Sequence, residues 1–274
     1  MAQPDVTALI VSYNTGPVLE QCLAAVLSDE AITRVILVDN GNPATRAEWL
    51  DEQASAISKL SVLRPGENLG FGRAVNLAAR EVEEGHLLIL NPDAVLRSGA
   101  VAALQETALQ QTPPWIVGGK IVDETGVEQR GARRRALTLW RAMTSFLGFE
   151  TWALNTKAEP GGPVPMPVIT GAFFLTSKAS FSELGGFDET YFLHVEDVDL
   201  CQRCRDAGGH VMYDPRAVAE HVGGSSEAPS KLVAGYKADS LALYFRRHAK
   251  GPLERILAGL VMPVVKQIMV YRAR

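Results

Sequence analysis

Five short apolar runs, each separated from the next by a helix-length stretch, dominate the first 122 residues and restrict the fold more than any other feature. They read "VTALIV", "RVILVD", "LSVL", "HLLIL" and "WIVGGKIV". The runs are apolar at successive positions, so both faces of each strand must be covered, as in a parallel sheet with helices above and below. The intervening stretches, Pro17–Leu27, Arg46–Ile57, Gly72–Val82 and Gly99–Gln110, are expected to be those helices. The implied class is α/β, a Rossmann-like single domain with a mostly parallel central sheet. In such sheets ligands sit beyond the carboxyl ends of the strands. Four of the strands run into polar segments there: Ser12-Tyr13-Asn14, Asp39-Asn40-Gly41, Glu67-Asn68-Leu69-Gly70 and Asn91-Pro92-Asp93. One polar strand end is a turn, whereas four on one edge make a site.

Asp93 ends "LLILNPD". A carboxylate there is a hard oxygen ligand suited to Mg²⁺ or Mn²⁺, which needs only one or two protein carboxylates when a diphosphate supplies the rest. The competing reading makes Asp93 a cap for a following helix. "ENLGFGRAVN" carries Gly70-x-Gly72 ahead of a helix, but position 75 is Val, so the dinucleotide fingerprint is incomplete. The amides around Gly70 and Gly72, with Asn68 and Arg73, could instead meet an anionic or ribose group at a helix start; a plain glycine turn is the alternative. In "FLHVEDVDLCQR", Glu196, Asp197 and Asp199 crowd a helix start, where carboxylates raise one another's proton affinity and one can serve as a base. Adjacent residues do not share a helix face, so at most one of Glu196 and Asp197 is expected in a given site. His221 in "AEHVGGSS" is either structural or a metal ligand beside Asp93.

The 274 residues carry a net charge of −4, which gives no reason to expect a nucleic-acid partner. Three cysteines do not build a disulfide framework in a chain this long, and Cys201-x-x-Cys204 lies in a helical pattern with no second ligand pair, so structural thiols are expected. The first residues resemble a strand and not a signal peptide. Between about 123 and 165 the pattern weakens, and "GARRRALTLW" with "KAEPGGPVPMP" reads as a mobile or partly ordered excursion. Residues 241–274 hold seven Lys or Arg against Glu254 alone. This basic amphipathic segment is expected either to lie on anionic lipid or to pack as a helix on the body or a second copy.

Taken in order, "VSYN", "VDN", "NLGFGRAVN", "NPD", "TGAFFLTSKASFSELGGFDETYFLHVEDVDLCQRCRDAGGHVMYDP" and "HVGGSS" resemble the family-two glycosyltransferases of the GT-A fold, in particular rhamnosyltransferase-like members that build bacterial polysaccharides. The resemblance runs from about Val6 to Ser226. It implies a GT-A domain over residues 1–240 with a helical C-terminal extension, and transfer of a sugar from a nucleoside-diphosphate donor to a hydroxyl of a saccharide or lipid-linked acceptor, with inversion. It implies that Ser12, Tyr13, Asn14, Asp39 and Asn40 line the pocket for base and ribose, and that Asn68, Gly70, Phe71, Gly72 and Asn76 close over the nucleotide. Asn91-Pro92-Asp93 matches the Asp-x-Asp motif with Asn in first place, leaving Asp93 as the metal carboxylate and Mg²⁺ or Mn²⁺ as cofactor. Asp197 matches the base, with Glu196 next to it, and His221 the histidine that reaches the metal in some relatives. Gly171, Ala172, Phe173 and Phe174 match the acceptor-side wall. Subgroup likeness favours dTDP-rhamnose, with a UDP-hexose next, and places the protein in the cytoplasm or on the inner face of the plasma membrane. Two other classes fit an α/β sheet: a non-catalytic nucleotide-sugar-binding module, and a sugar nucleotidyltransferase, although "VSYNTGPVLE" lacks the basic loop the latter needs.

Overall fold

A computed structural model describes residues 3–129, 131–146, 160–221 and 230–273. The chain runs β1 (Val6–Ser12), α1 (Val18–Ser28), β2 (Ile32–Asp39), α2 (Ala44–Ala56), β3 (Leu60–Leu63), α3 (Phe71–Arg80), β4 (His86–Leu90), β5 (Ala94–Leu96), α4 (Ala100–Ala108) and β6 (Trp115–Val122). It continues through β7 (Arg133–Arg134), α5 (Leu139–Phe146), β8 (Val164–Pro165), β9 (Val168–Ile169), β10 (Phe173–Ser177), α6 (Lys178–Glu183), α7 (Glu196–Asp206), β11 (His210–His221), α8 (Ser230–Arg247) and α9 (Pro252–Arg272). The four helices read from the first half of the sequence all form, with ends within two residues of expectation.

The main sheet has the order β3-β2-β1-β4-β10-β6-β11-β5, with β8 on β11. Strands β3, β2, β1 and β4 are parallel. Strand β10 enters antiparallel between β4 and β6, although more than eighty residues of chain separate it from β4. Side chains alternate across the sheet. Leu9, Val11, Ile36, Val38, Leu87 and Ile89 face one core layer with α3 and α7, while Ala8, Ile10, Val35, Leu37, Leu88 and Leu90 face the other with α1 and α4. Two-sided burial is the reason the strand sequences are continuously apolar.

Strand β11 does most to position the site. It pairs parallel with β6 from His210 to Asp214, loses register between Asp214 and Val218, then pairs again with β6 and antiparallel with β5. Pro215 has no N–H to give the ladder, which suits a bulge. Buried Asp214 holds the bulge by accepting from the Arg216 backbone N–H at 2.9 Å and from Thr107 Oγ1 at 2.7 Å. Past the bulge His221 pairs with Ala94, next to Asp93. A one-residue slip would turn His221 to the opposite face of the sheet.

Part of the expected excursion is ordered: β7 pairs with β9, α5 follows, and β8 joins the main sheet. Residue 130 and residues 147–159 lie outside the described residues, as do 222–229. The boundary expected after residue 240 falls inside α8, whose Tyr244 and Phe245 share the main core with Ala258 and Met262 of α9. His248 Nε2 lies 2.8 Å from an Asp199 oxygen, Ser240 Oγ donates to the Leu193 carbonyl at 3.0 Å, and Arg247 pairs with Asp188. The tail is therefore packed on the body through one face. Its other face leaves Leu253, Ile256, Leu260, Val264 and Tyr271 exposed. Among the described residues no helix is long and apolar enough to cross a membrane. Cys201 and Cys204 are free and buried, with burial raising their thiols to about 12 and about 11, so they are protonated core residues.

Candidate active site

Asn91 and Asp93 leave the end of β4. Asp93 precedes β5 and not a helix, so the capping reading does not apply. The Asn91 backbone N–H donates to the Ala172 carbonyl at 2.9 Å, which joins the start of β10 to this edge. Asp93 Oδ1 and His221 Nε2 lie 2.9 Å apart. Gln129 fixes the tautomer of the histidine. Its amide N–H₂ donates to the His221 carbonyl, so its oxygen, 2.9 Å from Nδ1, must accept the Nδ1–H. The other ring nitrogen, Nε2, then faces Asp93. One hard oxygen and one imidazole nitrogen suit Mn²⁺ or Mg²⁺. Adjacent ligands of an octahedral ion with bonds near 2.1 Å stand about 3 Å apart, close to the separation found. Among the described residues no third His, Cys, Asp or Glu joins them, so further ligands would come from a bound diphosphate or water.

Asp197 sits in the first turn of α7. Its Oδ2 accepts from the Gly171 backbone N–H at 2.9 Å and from Arg134 Nη2 at 2.8 Å, and its Oδ1 from the Val198 N–H at 2.8 Å. The chain reaches this turn through His194 and Val195, at φ 66° and 73°. Left-handed backbone at a β-branched valine is costly, on the order of 1–3 kcal/mol, and persists only where the surroundings over-determine it. Here burial of Val195 does so.

Glu196 and Asp197 both line the same cavity, contrary to the expectation that adjacent residues would part. They do so at the very start of α7, where Glu196 is the first helical residue. Glu196 is buried, and its Oε2 has no hydrogen-bond partner. Burial, and secondarily the Asp197 charge, raise its carboxyl to about 8, so it is protonated at neutral pH and is a donor, not a base. A carboxyl whose folded value exceeds its unfolded one contributes stability below the ordinary value of 4.5 that is lost as pH rises toward about 8. Glu196→Gln removes that loss. Its melting temperature relative to the parent is expected to rise steadily from pH 5 to pH 8, and a flat difference across a thermal scan series would sink the assignment.

The donor-side residues form a network bonded to itself. Asp39 Oδ1 accepts from the Asn42 backbone N–H at 3.0 Å and side chain at 2.9 Å, and Oδ2 accepts from Arg64 Nε at 3.1 Å. Its burial opposes ionisation, but the Asn42 and Arg64 donors outweigh it and hold the carboxyl below its ordinary value. Asn40 donates to Asn68 Oδ1 at 3.0 Å and accepts from the Leu69 N–H at 2.9 Å. Tyr13 is exposed, its ring edge over Gly41, and Asn14 has φ 51°. Asp39 and Asn40 are buried, whereas Tyr13 is exposed and Asn14 half-buried.

Several expected contacts lie elsewhere. Ser12 is fully buried and braces Thr15 and Asn42. The amides of Leu69, Gly70 and Phe71 are used by Asn40, Asn68 and the Phe192 carbonyl, so they are not available to an anion. The glycines serve packing: a Cβ on Gly70 (φ 76°) would stand 2.2 Å from the Phe192 carbonyl oxygen, and one on Gly72 3.1 Å from Phe187. Asn76 donates to the Phe187 carbonyl at 2.8 Å and accepts from its N–H at 2.9 Å, clamping α3 to that loop. Arg73 lies 3.7 Å from Glu189, and Phe71 packs edge-on against Phe187 and lines the cavity. Phe173 and Phe174 are buried in the core layers, so only Gly171 and Ala172 of that stretch line the cavity. Asp199 is tied to Arg203 and His248 and is structural.

The cavity itself encloses roughly 800 Å³. Asn91, His221, Glu196, Asp197, Gln129, Arg134 and Lys237 line one part of it. Nothing along the chain signals Gln129 or Lys237, and Arg134 lies in the basic stretch expected to be an excursion.

An α/β sheet of this order, with His221 and Asp197 lining one cavity and Asp93 against His221, has the architecture of a GT-A glycosyltransferase. Solved structures of similar fold include GalNAc-T7 with UDP, GalNAc and Mn²⁺ (TM-score 0.68, 17% identity, 89% of this chain and 48% of that one). Another is the Pyrobaculum calidifontis mannosyltransferase PcManGT with GDP-Man and Mn²⁺ (TM-score 0.63, 18% identity, 99% and 73%). The model of glycosyltransferase-like family 2 matches residues 4–251, and the chain belongs to that family. It is 29% identical over 272 residues to an N-acetylglucosaminyl-diphospho-decaprenol L-rhamnosyltransferase of Mycobacterium tuberculosis, covering 91% of this chain and 88% of that protein. To the rhamnosyltransferase WbbL of Escherichia coli it is 22% identical over 224 residues, covering 78% and 81%.

Proposed function

We propose that this glycosyltransferase is inverting and moves a rhamnosyl group from dTDP-rhamnose, or next a hexosyl group from a UDP-sugar, to a hydroxyl of a saccharide carried on a lipid diphosphate, in bacterial polysaccharide assembly. The observation that carries the reading is the convergence of Asn91, His221 and Asp197 on one cavity, with Asp93 behind His221. The donor and acceptor classes draw on the rhamnosyltransferase relatives. Asp93 and His221 would hold Mg²⁺ or Mn²⁺, whose charge stabilises the departing diphosphate.

The remaining chemistry falls to the chain. Asp197 accepts the proton of the acceptor hydroxyl while that oxygen forms its bond to the anomeric carbon. The bond from that carbon to the diphosphate breaks, and its electron pair leaves with the nucleoside diphosphate. The Gly171 and Val198 N–H groups hold the carboxylate in one orientation throughout. Attack from the face opposite the leaving group inverts the centre in one displacement. Neutral Glu196 adds no second negative charge beside Asp197.

Calorimetric titration with dTDP, UDP and GDP, with and without Mn²⁺, followed by NMR of the product's anomeric proton, tests this. Metal-assisted binding of dTDP ahead of the others and an inverted product are expected. Retention at the anomeric carbon, or no nucleotide binding in any metal, overturns it.

A further inference from the structure

The cavity does not end at the reacting groups. The same cavity is lined by apolar side chains of three helices: Leu139 of α5, Leu241 and Phe245 of α8, and Met262, Val265 and Met269 of α9. On α8 the lining residues Lys237, Leu241 and Phe245 stand at successive turns of one face, so along that helix the wall passes from a cation to hydrocarbon. A saccharide has no use for such a wall, since its hydroxyls would lose water without gaining partners. Two cationic groups line the cavity together with this arm of apolar side chains. Lys237 makes no hydrogen bond or ion pair among the described residues, and the Arg134 Nε–H is buried without a hydrogen-bond partner. Helix α9 is also apolar on both faces. Its inner face walls the arm, while outside Leu253 and Leu260 are 70% and 68% exposed. A single wall helix thus separates the arm from an exposed apolar surface.

We infer that the α5–α8–α9 arm is a seat for the isoprenoid chain of a lipid-diphosphate acceptor, with Lys237 and Arg134 meeting its diphosphate and the saccharide hydroxyl delivered to Asp197. The inference rests on the proposed transfer to a lipid-linked acceptor and adds the site that recognises the carrier. Its logic is that Arg134 bonds the base Asp197 at 2.8 Å and Lys237 leads along α8 to Leu241 and Phe245, an order of base, cations and hydrocarbon that matches hydroxyl, diphosphate and chain along such a substrate. A cation beside a dry apolar wall selects an amphiphile over either half alone, because each half then finds its own partner. Neither Lys237 nor the apolar helix residues belong to the strand ends proposed for the nucleotide.

The test uses the full chain saturated with dTDP and Mn²⁺, so that the donor site is filled. Farnesyl diphosphate, geranyl diphosphate, inorganic pyrophosphate and farnesol are titrated in turn. Farnesyl diphosphate is expected to bind at least about tenfold more tightly than geranyl diphosphate, since a shorter chain buries less hydrocarbon, and pyrophosphate more weakly still. Val265→Trp, which fills the arm, is expected to weaken farnesyl diphosphate about tenfold or more with dTDP binding unchanged. Exposed Lys237→Ala, which poses no folding problem, is expected to weaken the two prenyl diphosphates and leave farnesol as it was. Equal affinity for farnesyl diphosphate and pyrophosphate overturns the inference. So does indifference to both substitutions, displacement of farnesyl diphosphate by excess dTDP, or a switch to dimers that buries the arm in light scattering. Failure of dTDP to bind at the outset strikes the transferase reading instead, so the two failures are separable.

Discussion

Asp197→Asn is expected to lower turnover by about 10²–10⁴-fold, the range for loss of a general base, while binding of the nucleoside diphosphate stays within a factor of two or so of the parent. The amide oxygen can still accept from the Gly171 N–H, so the start of α7 should keep its position and the thermal unfolding curve should shift little. What disappears is the capacity to take a proton as the acceptor oxygen attacks. The effect belongs in kcat more than in KM, since the missing interaction develops only in the transition state. Near-normal turnover would remove Asp197 as the base. Glu196 is the only other carboxylate lining the cavity among the described residues, and it would then have to act above the pH at which it ionises. A pH–rate profile of the variant separates the two, because a Glu196 base would leave activity rising up to about pH 8. Arg134 supplies an internal check. It bonds Asp197 and stands in the cavity, so Arg134→Lys should cost less than the base substitution but disturb KM for the acceptor.

Asp93→Ala is expected to abolish the increment that Mn²⁺ adds to nucleotide binding and to lower turnover by about 10²-fold or more, the scale of losing a principal electrostatic contact to a leaving group. His221 alone is then left with a single nitrogen, too little to hold a hard divalent ion. Removing a buried carboxylate beside a histidine also changes folding, so Asp93→Asn serves as the isosteric control. It keeps the shape and loses the charge, and metal-dependent binding should fail in it as well. The readout is calorimetric and needs no turnover. If both variants retain the full Mn²⁺ increment, the Asp93–His221 pair is a structural contact and the metal site lies elsewhere. Gln129→Leu gives a graded comparison on the same axis: its loss frees the histidine ring, and second-sphere partners of this kind are worth about 10–100-fold in metal affinity.

The parallel half of the sheet is legible because two-sided burial writes itself into consecutive apolar residues, and its helices because their length and spacing are local. The polar strand ends are legible for the same reason, since the topology brings them to one edge. The glycine stretch at 67–76 is ambiguous for an equally local reason. A glycine needed for close packing and one needed to expose an amide look the same in a sequence, and only the position of the Phe192 carbonyl tells them apart. Asn76 and Ser12 show the same limit, because an amide or hydroxyl that braces a loop has the chemistry of one that binds a sugar.

The sequence by itself determined the α/β class and the polar edge, because those depend on residue type and on the strand and helix periods along the chain, and it offered Asp93, Asp197 and His221 as candidates that the family resemblance singled out. Only the tertiary structure decided which groups meet. Strand β10 inserts between β4 and β6 across more than eighty residues of chain from β4, the bulge at Asp214 precedes the pairing that sets His221 against Asp93, and the last two helices add apolar side chains to the cavity that Asp197 lines. Each is a contact between segments remote in sequence, fixed by which buried surfaces fit together and which polar groups find partners. Neither condition leaves a periodic trace in the chain.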